Sequence, residues 1–132
     1  MQGCGLGHEV RALADMGHYP FGVDFAPLAI THAAVASERT SAQCVVCNVF
    51  DMPRFDVDAV VEHNCLCSLS PYWWPRYATC LAAQLGEGGI LLGSFLCFDN
   101  PSGAPPHGIA PEQLLSLFIR QFHIELIAEA SE

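Results

Sequence analysis

Short apolar runs alternating with helix-patterned stretches constrain this chain more than any other feature. "YPFGVD", "AQCVVCNVF", "VDAVVEH" and "GILLGSFLCF" are too short and too β-branched for helices and read as strands. Between them, Val10, Leu13 and Ala14 recur at helical spacing from Glu9 to Met16, with Gly17 as a stop. Pro27 starts an alanine-rich helix to about Ser37. Trp74, Tyr77, Leu81 and Leu85 mark one face of a third helix that "GEGG" ends, and Pro111 opens a fourth through Phe118. "FHIELIAEA" reads as a closing strand. Such alternation predicts an α/β fold, a doubly wound and mostly parallel sheet, and the continuous apolar character of its strands predicts that helices cover both faces. At 132 residues this is a single domain spanning 1–132.

Charge narrows the partners. Fourteen acidic residues face five basic ones, all arginine, for a formal charge of −9, so no basic stripe exists to neutralise phosphates. The expected partner is a small molecule, with no nucleic acid and no membrane, and the expected state is a monomer. "ILLGSFLCF" is the longest strongly apolar segment and falls far short of the roughly 20 residues of a spanning helix. The seven cysteines are odd in number and sit mostly in apolar runs, which predicts a reducing, cytoplasmic compartment. Neither Cys44 with Cys47 nor Cys65 with Cys67 has a matching second pair, so no metal site is expected.

At the start of the chain, "GCGLGHEV" places Gly3, Gly5 and Gly7 just before the first helix. Glycines here let a ligand approach the backbone, and the free amides of the helix start face the same space. The G-x-G-x-G spacing differs from the dinucleotide pattern G-x-G-x-x-G. Asp24 ends "YPFGVD", where a carboxylate can accept both hydroxyls of a ribose or cap the helix that follows. "CNVFDMP" puts Asn48, Val49 and Asp51 just after the next strand, at the edge where open α/β sheets bind ligands. An adenine can stack on the apolar pair Val49 and Phe50 and hydrogen-bond to Asp51 or Asn48.

Taken together, "GCGLGHEVRALADMGHYPFGVDFAPLAI", "CNVFDMPRFDVDAVVEHNCLCSLSP", "RYATCLAAQLGEGGILL" and "GAPPHGIAPEQLLSLF" resemble the thiopurine S-methyltransferase family of class I S-adenosylmethionine-dependent methyltransferases, which also includes thiol, thiocyanate and halide methyltransferases. The resemblance runs from Gly3 to Phe122 and implies a Rossmann-like sheet with S-adenosyl-L-methionine as cofactor. It implies that Gly3, Gly5 and Gly7 approach the methionine part, that Asp24 holds the ribose, and that Asn48, Val49 and Asp51 frame the adenine. His63 would lie near the cofactor carboxylate and the acceptor. The acceptor pocket would be built from Cys65, Leu66 and Tyr72 and from the loop carrying Pro105, Pro106 and His107. Ala104 interrupts the family's Gly-Pro-Pro, and His107 stands where an aromatic residue is common, so the acceptor stays open among thiols, thiopurines, thiocyanate and halides.

Methyl transfer from a sulfonium is an in-line displacement that mainly requires positioning and exclusion of water. Where a proton must leave the acceptor, His63 and His107 are the candidate bases. Two other readings compete: an NAD(P)-dependent Rossmann oxidoreductase, disfavoured by the glycine spacing and the absence of lysine, and a non-catalytic remnant. Met1 and Gln2 are too short for the first strand and nothing follows "FHIELIAEASE" to return as the last. The first and last strands are therefore expected to be missing or incomplete, and the chain to be a fragment or a mis-started reading frame of a longer enzyme.

Overall fold

The structure, a computed structural model, describes residues 1–125, 127 and 128. Helix α1 (His8–Asp15) follows Gly7, whose left-handed conformation (φ 74°) turns the chain into the helix. Glu9 lies in its first turn, on the favourable side of the helix dipole. Gly17, at φ 92°, stops it, donating to the carbonyl of Ala14 at 2.9 Å. Strand β1 (Phe21–Asp24) leads into helix α2 (Pro27–Ser37), with Pro27 in the first turn where its missing N–H costs nothing. Strand β2 (Gln43–Val46) lies parallel to β1, pairing Asp24 with Val46.

Strand β3 (Val57–His63) is joined through short 3-10 turns to helix α3 (Trp74–Gln84) and then to strand β4 (Leu85–Ser94). The two strands are parallel, with His63 opposite Ser94. Helix α4 (Pro111–Phe118) completes the order. The α3 face expected from its spacing is the core: Tyr77 and Leu81 are fully buried and Trp74 nearly so, packed with Val60, Leu66, Ile109 and Phe118. Each such side chain contributes about 1.5–3 kcal/mol through burial. A smaller cluster of Cys4, Val10 and Ile30 joins the chain start to α1 and α2, with Cys44 of β2 packed against it.

The first strand is incomplete, as expected, reduced to a stub, and three other expectations change. Met1 and Gln2 do run along the free edge of β1: Gln2 forms a parallel bridge with Val23, and the amide of Val23 donates to the carbonyl of Met1 at 2.9 Å. The Met1 amino group donates to the carbonyl of Phe21 at 2.7 Å and Cys4 N–H to that of Val23 at 3.0 Å. Buried edge groups of β1 demand partners, and this stub supplies them. First, β4 begins at Leu85, expected as the last residue of the α3 face, and runs through "GEGG", because Leu85 pairs with Val57 across an irregularity in register, and the strand ends at Ser94 instead of Phe98. Secondly, β2 is not a buried strand: Gln43, Val45 and Val46 are exposed, as are Ile90 and Leu92 on β4, so the faces are not uniformly covered. Helix α2 packs on β2, and the strand's other edge is free among the described residues. Finally, the closing strand is absent from residues 122–125, 127 and 128, and the rest of it lies outside the described residues.

Hydrogen-bonded strands form two separate parallel pairs, β1 with β2 and β3 with β4, with the Met1–Cys4 stub on the edge of β1 away from β2. Among the described residues, no helix is long and apolar enough to cross a membrane.

Candidate cofactor and acceptor site

The contacts of Gly5 with Asp24, of Gly3 with Cys65 and of Glu9 with His63 bring the C-terminal ends of β1 and β3 together at the glycine turn, the kind of edge where open α/β sheets hold ligands. Gly3, Gly5 and Gly7 all adopt positive φ there, at 60°, 51° and 74°. The two outer glycines are packed: a Cβ on Gly3 would stand 3.0 Å from Cys65 Sγ, and one on Gly7 would stand 3.0 Å from Ala33 Cβ. Gly5 instead faces open space, with nothing within 4 Å of where a Cβ would be. The turn therefore has one bare backbone position with room in front of it.

Asp24 ties that turn to the adjoining strand end. Its Oδ2 accepts from Gly5 N–H at 2.9 Å and its Oδ1 from Ala26 N–H at 2.9 Å. Of the two expected roles the hydrogen bonds are those of the cap: the carboxylate holds the chain entering α2, and each oxygen keeps a second lone pair. The carbonyl of Asp24 accepts from Cys47 N–H at 2.8 Å, which brings the end of β2 alongside. Asn48 then caps a 3-10 turn, its Oδ1 accepting from Phe50 N–H at 3.0 Å. Val49 and Phe50 are partly buried on the core, while Asp51 is exposed. Asn48 is thus the member of this trio whose side chain is already engaged.

His63 sits at the end of β3 and reaches α1. Its Nδ1 is 3.0 Å from Glu9 Oε1, and its Nε2 is 3.1 Å from the Asn64 side-chain amide. Glu9 is held below the usual carboxylate range, first by the hydrogen bond from the backbone amide at its own position in the helix start, with His63 adding to it and burial opposing.

Beyond β3, Glu62, Asn64, Ser94, Phe95, His107 and Ile109 surround a crevice too narrow to hold a water molecule. His107 enters it because its backbone N–H donates to the carbonyl of Cys67 at 2.6 Å. Pro105 and Pro106, joined by a cis peptide, are exposed, and Tyr72 is exposed as well, edge-on to Trp73 at 4.9 Å. Cys65 and Leu66 are core residues, and burial pushes the Cys65 thiol up to about 11. Cys4, beneath the glycine turn, is pushed up to about 12 by burial. Neither sulfur offers a thiolate near neutrality.

Two residues of this edge escape a reading by motif. Glu9 is distant from His63 in sequence and carries no local signal. Glu62 had one, a lone acid in an apolar strand run. It is 1% exposed; its Oε1 accepts from Leu66 N–H at 2.7 Å and from the Tyr77 hydroxyl at 3.4 Å, while Oε2 has no partner among the described residues. Burial pushes this carboxyl above its ordinary range.

A glycine turn, an acid at the end of β1 and a capped turn after β2, on parallel strands, fit the class I S-adenosylmethionine-dependent methyltransferase fold. Solved structures agree. The chain superposes with a TM-score of 0.84 at 22% identity, over 98% of itself and 63% of the other chain, on a structure from work on conversion of a disulfide bond into a thioacetal group during echinomycin biosynthesis. It matches a Burkholderia thailandensis 1,6-didemethyltoxoflavin-N1-methyltransferase, solved with S-adenosylhomocysteine, with a TM-score of 0.75 at 20% identity, over 91% of itself and 57% of that chain. Within this class, the family model for thiopurine S-methyltransferase matches residues 1–132, and the chain belongs to that family. A thiopurine S-methyltransferase of Canis lupus familiaris is 26% identical over 134 aligned positions, which cover 83% of this chain and 54% of the relative. The chain spans about half the length of the curated relatives it matches.

Proposed function

We propose that the chain binds S-adenosyl-L-methionine at the glycine turn and transfers its methyl group to a small, soft nucleophile, a thiol or thiopurine sulfur. The observation that carries this reading is the open face of Gly5, beside an Asp24 carboxylate with acceptor capacity to spare. A nucleoside ribose donates two hydroxyls, and Asp24 takes them. Val49 offers an apolar surface for the adenine, with Asn48 and Asp51 at its rim, and Gly3 and Gly7 hold the backbone around the methionine portion. When bound, the cofactor supplies an electrophilic methyl on a sulfonium. The protein's own contribution is to hold the acceptor behind that methyl and keep water out. His63, Asn64 and the crevice under His107 line the approach, with Cys65 and Leu66 forming its floor and Tyr72, Pro105 and Pro106 its rim. The acceptor is a small molecule, and the acidic surface favours neither nucleic acid nor anionic membrane. A cytoplasmic monomer fits the reduced cysteines and the charge.

Calorimetric titration of the 132-residue chain with S-adenosylhomocysteine and, separately, with NADH tests the reading. Binding of the former alone is expected. Asp24→Ala removes the acceptors for the ribose and is expected to weaken it by about 10–100-fold, since a hydrogen bond to a charged group is worth about 1.5–3 kcal/mol. Binding of NADH alone would remove the methyltransferase reading.

A further inference from the structure

His63 is clamped at both ring nitrogens, and the two clamps are chemically different. A carboxylate can only accept, so Glu9 Oε1 at 3.0 Å requires the proton on Nδ1 of the neutral ring. Nε2 is then left with a lone pair, and the Asn64 amide at 3.1 Å donates to it. The Asn64 side chain is exposed, so this lone pair lies on the solvent-facing side of the ring, where the methyltransferase reading puts the acceptor's approach. We propose that Glu9 is a positioning residue for methyl transfer, fixing His63 in the tautomer whose Nε2 takes the proton of a protonated acceptor. The proposal rests on the methyltransferase reading above.

In the reaction, the acceptor S–H gives its proton to Nε2 while the sulfur lone pair forms the new bond to the methyl carbon. The old carbon–sulfur bond breaks and its electron pair stays on the cofactor sulfur, which ends as a neutral thioether. His63 becomes an imidazolium, and Glu9 stabilises it across the existing contact. The other titratable or charged groups near this pair are His8, beside Glu9 on α1, Arg11, which is 2.8 Å from the His8 ring nitrogen, and Glu62, next to His63 on β3. Asn64 has φ 62°, and its side chain is exposed, so it can give way to an incoming thiol. Acceptors already ionised, such as thiocyanate, need no base, and this separates the role of Glu9 from simple support of the fold.

Nitrogen-15 NMR of the cofactor-free chain reads the tautomer directly. His63 is expected to show a protonated Nδ1 and an unprotonated Nε2, a pattern lost in Glu9→Ala and kept in Glu9→Gln, whose amide oxygen still accepts from Nδ1. Turnover of 2-mercaptoethanol relative to thiocyanate is the second readout. That ratio is expected to fall about tenfold in Glu9→Ala, a part of the roughly 10²–10⁴-fold that a positioned base supplies, and to recover in Glu9→Gln. A wild-type His63 protonated on Nε2, or an unchanged ratio in Glu9→Ala, overturns the proposal. If the wild-type chain fails to bind S-adenosylhomocysteine, the methyltransferase reading falls and the base role with it, whatever the tautomer.

Discussion

Alanine placed at each of three left-handed glycines separates what the turn needs for folding from what it needs for binding. Gly17, at φ 92°, has nothing within 4 Å of a new Cβ and lies far from the site, so Gly17→Ala reports backbone strain alone. An L-residue in the left-handed region costs about 1–2 kcal/mol. Gly5, at φ 51° and likewise open, should lose the same about 1–2 kcal/mol, because the chain itself has no atom for the methyl to meet. Gly7 carries the strain and a collision: its Cβ would stand 3.0 Å from the Cβ of Ala33, which is fully buried, and 3.5 Å from Cys44 Sγ. Overpacking adds about 1–3 kcal/mol, for a total of about 2–5 kcal/mol, a large part of the ~5–15 kcal/mol by which a domain is stable. Urea unfolding followed by circular dichroism should therefore rank Gly5→Ala with Gly17→Ala and place Gly7→Ala well below both. Titration with S-adenosylhomocysteine should rank them differently, with Gly17→Ala binding like wild type and Gly5→Ala at least tenfold weaker, since its methyl occupies the space a ligand needs. Equal destabilisation by Gly5→Ala and Gly7→Ala, or unimpaired binding by Gly5→Ala, would refute the division of labour.

Two further outcomes follow from the core. Leu81→Ala, at a fully buried position on the α3 face, should cost about 2–5 kcal/mol in the same urea assay, and a loss below 1 kcal/mol would mean that the α3 face is not the core. Glu62 holds its proton more tightly when folded than unfolded, because burial raises its carboxyl. Its contribution to stability is thus fully present below the ordinary carboxylate range and is lost as pH rises through the raised folded value. Glu62→Gln should lose that slope, so the difference in urea midpoint between pH 5 and pH 8 shrinks relative to wild type, and an unchanged difference would assign the slope to other groups.

Much of this was legible because it is local. The spacing of Val10, Leu13 and Ala14, the proline at 27 and the glycine at 17 specify two helices within a few residues of each other, and the structure bounds them at His8–Asp15 and Pro27–Ser37. Gly5 and Asp24 were visible as a turn and a strand end, and they meet through one hydrogen bond. What stayed hidden depends on partners distant in sequence. The "GEGG" segment has the composition of a helix stop and α3 does end just before it, at Gln84, yet the pairing of Leu85 with Val57 draws the segment into strand β4, which its composition does not signal. A two-residue start has no strand signal, yet the unpaired edge of β1 recruits it. The Glu9 contact with His63 joins positions 54 residues apart, and no periodicity encodes it.

The division of the strands into two pairs has a consequence for how the molecule comes apart. Strand hydrogen bonds tie β1 to β2 and β3 to β4, whereas the halves meet through side chains and turns, including Gly3 against Cys65 and Glu9 against His63. Such contacts yield before strand ladders do, so amide exchange should show two separately protected blocks that open independently. The proposed ligand pocket lies across this seam, with Gly5 and Asp24 on one bank and His63 on the other. A molecule bound there would act as a rivet, merging two opening units into one, and its arrival would be read as a gain in cooperativity as much as a rise in melting temperature.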